Sequence, residues 1–410
     1  MKPTAEDTAF HIDVNSLTPQ EAVERLIAYA SELTASDLFF ATNESHVAVS
    51  ARYLGIPHLL SIVPADLGRR CIAHIKSLAG MEASERRRPL DGRWIHEPTN
   101  GRAVDLRINT IPTLHGEDLT FRFLERDSKL IGLEKLGMDA ADQNRLRSLL
   151  NRPSGLILVT GPTGSGKTTT LYACLAYLNN GKRKINTIED PIEYEMAGIR
   201  QSQVNIKAEV DFADLLRSVL RQAPDVIMVG EVRDPVTADI AVRAANSGHL
   251  VLATLHAPVA AGAVQSMLGL GVHPPFLASS LQGALVQRLA RNLCPHCKVP
   301  FDSVDSAMFD EVRPWLSSNE GRQFYGPSKC AKCRMEGYGS RSGIFELLTV
   351  SRPIRKLIQE KQSMAAIRQK AVEEGMIPFR QAALLKVARG ETSIDEVFRA
   401  IPSEYLEDEE

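Results

Sequence analysis

The chain has 410 residues, 44% hydrophobic and 24% charged, and its 48 Lys and Arg against 50 Asp and Glu give a formal net charge of −2. This length predicts two or three domains, and the balanced charge argues against nucleic acid as the main partner, because nucleic-acid binding needs a strong positive field. Since the sequence contains neither a run of about 20 apolar residues nor a signal-peptide pattern, we expect a cytoplasmic protein whose membrane association goes through partners.

The first part of the chain predicts a small α+β domain. A capping box of Thr18 and Glu21, with Pro19 at the first helical position, predicts a helix start at Thr18. We expect residues 1–17 to be loose. Apolar patterns predict strands at 37–40 and 47–53, a helix at 64–80, and two strands between 102 and 126 around a turn at 112–117. We therefore place an α+β domain at 18–126 and a linker at 127–143.

The pattern changes after the linker. Continuous apolar runs, typical of buried parallel strands, lie at 155–160, 184–188, 226–229 and 250–254. Helical patterns between them predict a doubly wound α/β core over 144–290. Four cysteines mark a separate region at 291–340. The rest, 341–410, is predicted to be helical and to end in a solvated acidic tail at 404–410.

A complete phosphate-loop pattern, GxxxxGK[ST], lies between the first of these strands and the next helix. The loop consists of Gly161, Pro162, Thr163, Gly164, Ser165, Gly166, Lys167 and Thr168, and Thr169 opens the following helix, expected over 169–178. Glycines let backbone N–H groups surround phosphates, and a helix N-terminus adds partial positive charge. We expect Lys167 to reach the β- and γ-phosphates of ATP and the Thr168 hydroxyl to hold Mg²⁺.

Acidic residues follow two other predicted strands. One strand ends in Gly230-Glu231, where the commoner pattern ends in Asp-Glu, so Glu231 is the candidate for orienting the attacking water. Glu189, Asp190 and Glu193 follow the other strand within five residues and are candidates to replace the missing metal-binding acid. An isolated acidic loop is usually only solvated, but a phosphate loop nearby favours the functional interpretation.

Two histidines, His249 and His256, flank the strand at 250–254. Seven residues apart, they cannot both lie at one end of it. A single histidine is usually structural, yet the position of this strand in the core suggests that at least one senses phosphate or couples to a neighbour.

Two CxxC pairs predict a structural Zn²⁺ site of the closed, tetrahedral kind. The pairs are Cys294/Cys297 and Cys330/Cys333, and His296 inside the first pair is not expected to be a ligand. Redox chemistry is the alternative, but a single CxxC would be enough for it.

These motifs resemble those of the ATPases of type II secretion and type IV pilus assembly, and the resemblance covers nearly the whole chain. The four matching runs are GPTGSGKTTTLY from Gly161, TIEDPIEY from Thr187, MVGEVRD from Met228 and GHLVLATLH from Gly248. The resemblance implies a RecA-like P-loop NTPase core with a zinc-stapled insertion and C-terminal helices. It also implies that Glu231 is the catalytic glutamate and that Gly230 is the ordinary residue before it. The acidic run would form an acidic box, and the two histidines would form a histidine box in which His249 contacts the nucleotide and His256 takes part in catalysis.

The resemblance extends to an arginine-rich signature in the N-terminal domain, which implies that arginines neutralise charge near the γ-phosphate. Arg93 and Arg107 are the best candidates, and Arg88 and Arg122 are weaker ones. The alternative is ordinary surface ion pairs. Long family members carry a further docking domain, for which the chain before Thr18 is too short. The run at 37–40 also lacks the histidine common in the family, and both departures leave the docking mode open.

The resemblance implies a hexameric ATPase that assembles pilus or pseudopilus subunits through an inner-membrane platform protein, acting at the inner face of the membrane. The four cysteines favour assembly over pilus retraction, because retraction members of the family generally lack them. A DNA-uptake or conjugation motor is the second hypothesis, and the near-neutral charge does not favour it. A scaffold that binds ATP without turnover is the third, and the presence of Lys167, Thr168 and Glu231 argues against it.

Overall fold

The structure, a computed structural model, describes residues 10–97, 103–124, 131–301 and 306–406, without the side chains of 306–308. Contacts divide the chain into two compact units, Met1–Ser128 with Lys329–Met335, and Lys129–Ser328 with Glu336–Glu410. None of the described helices is long and apolar enough to cross a membrane.

The N-terminal unit is an antiparallel sheet with two helices. Its elements are α1 (Pro19–Glu32), β1 (Asp37–Thr42), β2 (His46–Tyr53), β3 (Ile56–Pro64), α2 (Ala65–Leu78), β4 (Leu90–His96), β5 (Val104–Thr113) and β6 (Gly116–Leu124). The strand order is β3-β2-β1-β6-β5-β4. Thr18 and Glu21 form the predicted capping box of α1. Strands β3 and β4 were missed by the sequence prediction.

Residues 10–17 differ from the expectation that the chain before Thr18 is loose. Phe10 and Val14 are buried among the core residues of this unit. The Phe10 ring also stacks on His58, with ring centroids 4.2 Å apart. Because this segment has no apolar periodicity, the burial of these two side chains could not be predicted from the sequence. Residues 1–9 lie outside the described part of the chain.

The second unit is built on a mostly parallel sheet. Its strands are β7 (Gly155–Thr160), β8 (Ile185–Glu189), β9 (Arg200–Gln203), β10 (Val226–Val229), β11 (Leu250–Leu255), β12 (Leu281–Leu293), β13 (Val299–Phe301), β14 (Phe324–Gly326) and β15 (Tyr338–Thr349). Seven of them form one sheet in the order β15-β12-β7-β11-β10-β8-β9, in which β15 alone is antiparallel to its neighbour, and β13 pairs with β14.

Helices cover both faces of this sheet. They are α3 (Ala140–Leu150), α4 (Lys167–Leu178), α5 (Phe212–Leu220), α6 (Pro235–Asn246), α7 (Ala260–Gly269), α8 (Pro274–Ser280), α9 (Arg352–Gln359), α10 (Met364–Glu373), α11 (Phe379–Ala388) and α12 (Ile394–Ala400). Alternate residues of β7 face different cores: Leu156 and Leu158 pack into one cluster, and Ile157 and Val159 into the other. Burial on both faces explains why these strands are continuously apolar.

The sequence predicted a helical region at 341–410, but its first residues form a strand. Residues 338–349 form β15, which pairs along β12 from Gly283 to Leu293. The buried Glu346 carboxylate on β15 accepts hydrogen bonds from the N–H groups of Ala260 (2.7 Å) and Phe379 (3.3 Å), the first residues of α7 and α11. This strand therefore ties the C-terminal helices to the core sheet.

Candidate active site

The predicted site residues of the second unit gather where its parallel strands end. Strands β7, β11, β10 and β8 are neighbours in that order, and their carboxyl ends lie at one edge of the sheet. In open α/β sheets this edge is where ligands bind. The edge carries the phosphate loop after β7, His256 after β11, Glu231 after β10, and Glu189 at the end of β8.

The phosphate loop has the backbone that its glycines allow. Gly161, Gly164 and Gly166 have φ of 144°, 77° and 89°, values that favour glycine. The Lys167 ammonium donates to the carbonyls of Gly161 (2.8 Å) and Pro162 (3.1 Å). Burial lowers the pKa of Lys167, while the negative charge of Glu231 acts in the opposite direction. The lysine thus lies folded over its own loop, close to the acid at the end of β10.

The three threonines of the loop and of the first turn of α4, which begins at Lys167, differ in exposure. Thr163 and Thr168 are exposed, and Thr169 is partly buried. The exposed Thr168 hydroxyl is therefore open to a metal ion at the helix N-terminus, whereas Ser165 is buried in the loop.

Gln287, which the sequence did not single out, supports the loop from β12. That strand runs past the end of β7, since Val286 pairs with Thr160. The buried Gln287 amide donates to the Ser165 carbonyl over 2.6 Å. A Cβ on Gly161 would lie 2.4 Å from the Gln287 carbonyl oxygen, and one on Gly166 would lie 3.1 Å from the Gln287 side-chain nitrogen. The loop glycines therefore also make room for β12.

Both carboxylate oxygens of Glu231 are engaged. His256 Nε2 lies 3.0 Å from one oxygen, and the Arg233 guanidinium bonds to the other. Burial raises the pKa of Glu231, but the hydrogen bonds and charges of Arg233 and His256 outweigh it, so the net pKa lies below its ordinary value. Glu231 is therefore ionised at neutral pH, as a group that polarises water must be.

Steric crowding explains why the residue before Glu231 is a glycine. The Gly230 N–H donates to the Ile188 carbonyl over 2.7 Å, and the Gly230 carbonyl accepts a hydrogen bond from the Thr254 hydroxyl. A Cβ at Gly230 would lie 3.0 Å from the Ile188 oxygen. An Asp at this position would crowd the backbone of β8, so the metal-binding acid of the commoner pattern has little room here.

The acidic run after β8 divides into a buried part and an exposed part. The buried Glu189 carboxylate accepts hydrogen bonds from Thr187 (2.5 Å), Gln201 (3.1 Å) and the Tyr172 hydroxyl. Burial and these contacts with Glu189 raise the pKa of Tyr172 strongly. Asp190 is exposed. The pKa of Arg233 is raised first by the hydrogen bond that it donates to Glu231, and the charge of Asp190 adds to this effect. The three hydrogen bonds to Glu189 keep its carboxylate buried. Asp190 is therefore the solvent-exposed acid at this edge of the sheet.

The N–H of Glu193 donates to the Tyr172 hydroxyl over 3.3 Å. The acidic run is thereby fixed to α4, the helix that follows the phosphate loop. Tyr172 was part of the matched motif, but its role as the link between loop helix and acids becomes visible only in the fold.

The structure does not bring His249 to this edge. The N–H of Gly155, at the start of β7, donates to the His249 carbonyl, and the His249 ring lies 3.0 Å from the Ala244 carbonyl near the end of α6. His249 thus lies at the amino edge of the sheet, a strand length from the phosphate loop. The expectation that it contacts nucleotide is not met within this unit, while its placement opposite to His256 agrees with their spacing.

In the N-terminal unit, three of the four predicted arginines lie in one row across the sheet. Arg93 of β4 is opposite Arg107 of β5, and Arg107 is opposite Arg122 of β6. Arg93 forms two hydrogen bonds to Asp105, at 2.9 and 2.5 Å. Arg122 pairs with Asp37 at 3.2 Å. Among the described residues Arg107 has no acidic partner within ion-pair distance, so it carries the uncompensated charge of the row.

Arg88 is exposed and lies before β4, outside this row. The geometry therefore separates the four sequence candidates into three arginines that share one face and one that does not.

The four cysteines converge. The Sγ atoms of Cys294, Cys297, Cys330 and Cys333 all lie within 4.8 Å of one another, and those of Cys330 and Cys333 are 3.6 Å apart. Four thiolates about 2.3 Å from a central Zn²⁺ have sulfur atoms roughly 3.8 Å apart, so this cluster fits a zinc ion. The lone cysteines behave differently, since burial raises the pKa of Cys71 to about 11 and that of Cys174 to about 12.

Comparison with known proteins agrees with this site. The family model described as type II/IV secretion system protein matches residues 15–399. The chain belongs to this family. It is an ATPase, since the family match covers a complete phosphate loop and the glutamate that accompanies it.

Relatives in the family are similar over most of the chain. Type II secretion system protein E of Dickeya dadantii is 41% identical over 382 residues, which cover 93% of this chain and 75% of that protein. The type IV pilus assembly ATPase TfpB of Acinetobacter baylyi is 38% identical over 390 residues, covering 95% of this chain and 66% of TfpB.

Solved structures are also similar to this secretion ATPase. The pilus retraction motor PilT with bound ADP is 26% identical, with a TM-score of 0.63 and coverage of 94% of this chain and 98% of PilT. The ATPase DotB of Legionella pneumophila matches with a TM-score of 0.70 at 20% identity over 94% of this chain and 96% of DotB, which shows a shared fold.

We predict that Gln287→Leu weakens ATP binding by about tenfold, because it leaves the buried Ser165 carbonyl without its donor at a cost of about 1–1.5 kcal/mol. Titration with a fluorescent ATP analogue measures this. The matched control is Gln265→Leu, which removes a half-buried glutamine whose side chain donates to the Gln362 carbonyl in an exposed hydrogen bond. Unchanged affinity in Gln287→Leu would remove this residue from the support of the loop.

A second prediction concerns metal content. The purified chain should contain about one zinc, and replacing Cys330 and Cys333 together by Ser should remove it, because two thiolates do not form a closed site. Elemental analysis under reducing conditions measures the zinc. Cys174→Ala is the control and should keep it, since this buried thiol lies outside the cluster. A wild-type chain with intact thiols and no zinc would contradict the assignment.

Proposed function

We propose that the chain is the cytoplasmic motor of a secretion or pilus system, a hexamer that couples ATP hydrolysis to the assembly of type IV pilus or type II secretion pseudopilus subunits. It would transmit motion to an inner-membrane platform protein and act at the inner face of the membrane. The similarity to proteins described as type II secretion system protein E and type IV pilus assembly ATPase supports this role.

The observation that carries the proposal is the convergence of Lys167, Glu231 and His256 at one edge of the sheet. ATP would bind with its phosphates surrounded by the backbone of residues 161–168 and the N-terminus of α4. Lys167 would turn from the carbonyls of its own loop toward the β- and γ-phosphates. Mg²⁺ held by Thr168 would neutralise phosphate charge, and the exposed Asp190 is the acid best placed to orient its water ligands.

Glu231 would orient the attacking water and accept its proton. Both of its oxygens are engaged in this structure, so one contact must be released before a water can take its place. Arg233 is the more exposed of the two partners of Glu231, with 68% of its side chain accessible against 55% for His256. We infer that Arg233 leaves when nucleotide arrives, and that His256 stays to hold the carboxylate in position.

The arginine row would supply the remaining positive charge. Hydrolysis spreads negative charge over the γ-phosphoryl oxygens, and guanidinium groups stabilise such charge through paired hydrogen bonds. Arg107 is the strongest candidate, because Arg93 and Arg122 are already paired with Asp105 and Asp37. A zinc ion held by the four cysteines would be structural. The family resemblance implies that a chain with these cysteines acts in pilus assembly and not in retraction.

The test of this site is Glu231→Gln. The variant should bind ATP with wild-type affinity but hydrolyse it at least about 100-fold more slowly, because a neutral amide cannot accept the proton of water. Nucleotide titration and phosphate release measure the two effects. Glu195→Gln, which changes an exposed acid after the same run, is the control and should keep wild-type turnover. Full turnover in Glu231→Gln would exclude Glu231 from catalysis.

A further inference from the structure

Two arginines converge at the amino edge of the main sheet, opposite the phosphate loop. Arg152 follows α3, and Arg355 lies in the first turn of α9. Both guanidinium groups donate to the same atom, Gln282 Oε1: Arg355 over 3.3 Å, and Arg152 in a still shorter contact. Gln282 packs against the start of β7, where a Cβ on Gly155 would lie 2.2 Å from its Cγ. The cluster is therefore fixed to the core sheet.

Among the described residues, no carboxylate pairs with either of these two arginines. Within the part of the chain that the structure describes, neither Arg152 nor Arg355 has a carboxylate within ion-pair distance, and Arg355 Nε is buried without a hydrogen-bond acceptor. Burial, and then the neighbouring charge of Arg355, lower the pKa of Arg152. Two cations that share one neutral amide oxygen repel each other, and a buried donor without an acceptor costs about 1–3 kcal/mol.

A third guanidinium adds to the positive field beside this pair. Arg183 donates to the carbonyl of Leu150 over 3.0 Å and to that of Asn151 over 3.4 Å, immediately before Arg152. These carbonyls carry only the partial negative charge of the C-terminal end of α3, so they offset the charge of Arg183 in part. An anion that reached Arg152 would therefore meet positive charge from more than one side.

We propose that Arg152 and Arg355 form a second oxoanion site, which binds the phosphate group of a soluble molecule. A phosphate monoester carries about −1.5 to −2 charge at pH 7 and three acceptor oxygens, which match two guanidinium groups that approach from different elements. A single carboxylate would leave one positive charge unmatched. The site uses none of the residues assigned to hydrolysis, and it lies a strand of six residues, roughly 20 Å, from the phosphate loop.

The experiment keeps the two phosphate sites apart. The full chain is saturated with Mg²⁺ and a non-hydrolysable ATP analogue, so that the phosphate loop is filled. Inorganic phosphate or glycerol 3-phosphate is then titrated at constant ionic strength against chloride, and binding is followed by calorimetry and by the thermal midpoint. The proposal expects about one phosphate group bound per chain. The ligand with the higher affinity shows whether the phosphate is free or carried by an organic molecule.

Two variants and one control make the result specific. Arg355→Gln should weaken phosphate binding by at least about tenfold, since it removes one of the two charges. Gln282→Glu should raise the thermal midpoint in chloride and abolish the response to phosphate, because its carboxylate supplies the missing anion in place. Arg217→Gln, an exposed arginine of α5 paired with Asp214, should bind phosphate as the wild type does.

The proposal is overturned by any of three results: a wild-type chain that does not respond to either phosphate ligand, an Arg355→Gln chain that binds as the wild type does, or a Gln282→Glu chain that is less stable and still responds. A loss of folding in Arg355→Gln alone would leave Gln282→Glu to decide, since that change adds a partner and removes no volume.

Discussion

The register of the parallel strands is the constraint on which the site depends. Pairing of Thr160 with Leu255, and of Val229 with Ala253, brings the ends of β7, β11 and β10 to one edge. These strands are apolar on both faces, but a slip of one residue would move Glu231 or His256 by about 3.3 Å relative to the phosphate loop and turn its side chain to the other face of the sheet. The close approach of β8 to Gly230 belongs to the same constraint.

The charged side chains at this edge are paired with groups of the protein itself. Lys167 is satisfied by carbonyls of its own loop, and Glu231 by Arg233 and His256. Phosphates and a water molecule would take over the lysine and one glutamate oxygen, so binding exchanges internal contacts for external ones. We propose that a neighbouring domain or subunit alters the rate of hydrolysis by changing these contacts.

How much of this follows from the sequence depends on whether the chemistry is local. Three of the features are short contiguous motifs whose spacing follows from the chemistry of the ligand: the phosphate loop, the acids after two strands and the paired cysteines. The sequence did not indicate Gln287, because its partner Ser165 lies 122 residues away and only strand pairing joins them. It likewise assigned residues 341–349 to helix, since antiparallel pairing along β12 is a tertiary effect.

We propose that hydrolysis requires positive charge from Arg107 of the N-terminal unit as well as from the phosphate loop, and that a ring of chains supplies both. ATP hydrolysis across a range of protein concentrations, by the wild type and by Arg107→Gln, tests it most directly. We expect a wild-type rate per chain that rises with protein concentration, and an Arg107→Gln rate at least about tenfold lower with ATP binding retained. Equal rates in the two proteins, independent of concentration, would contradict it.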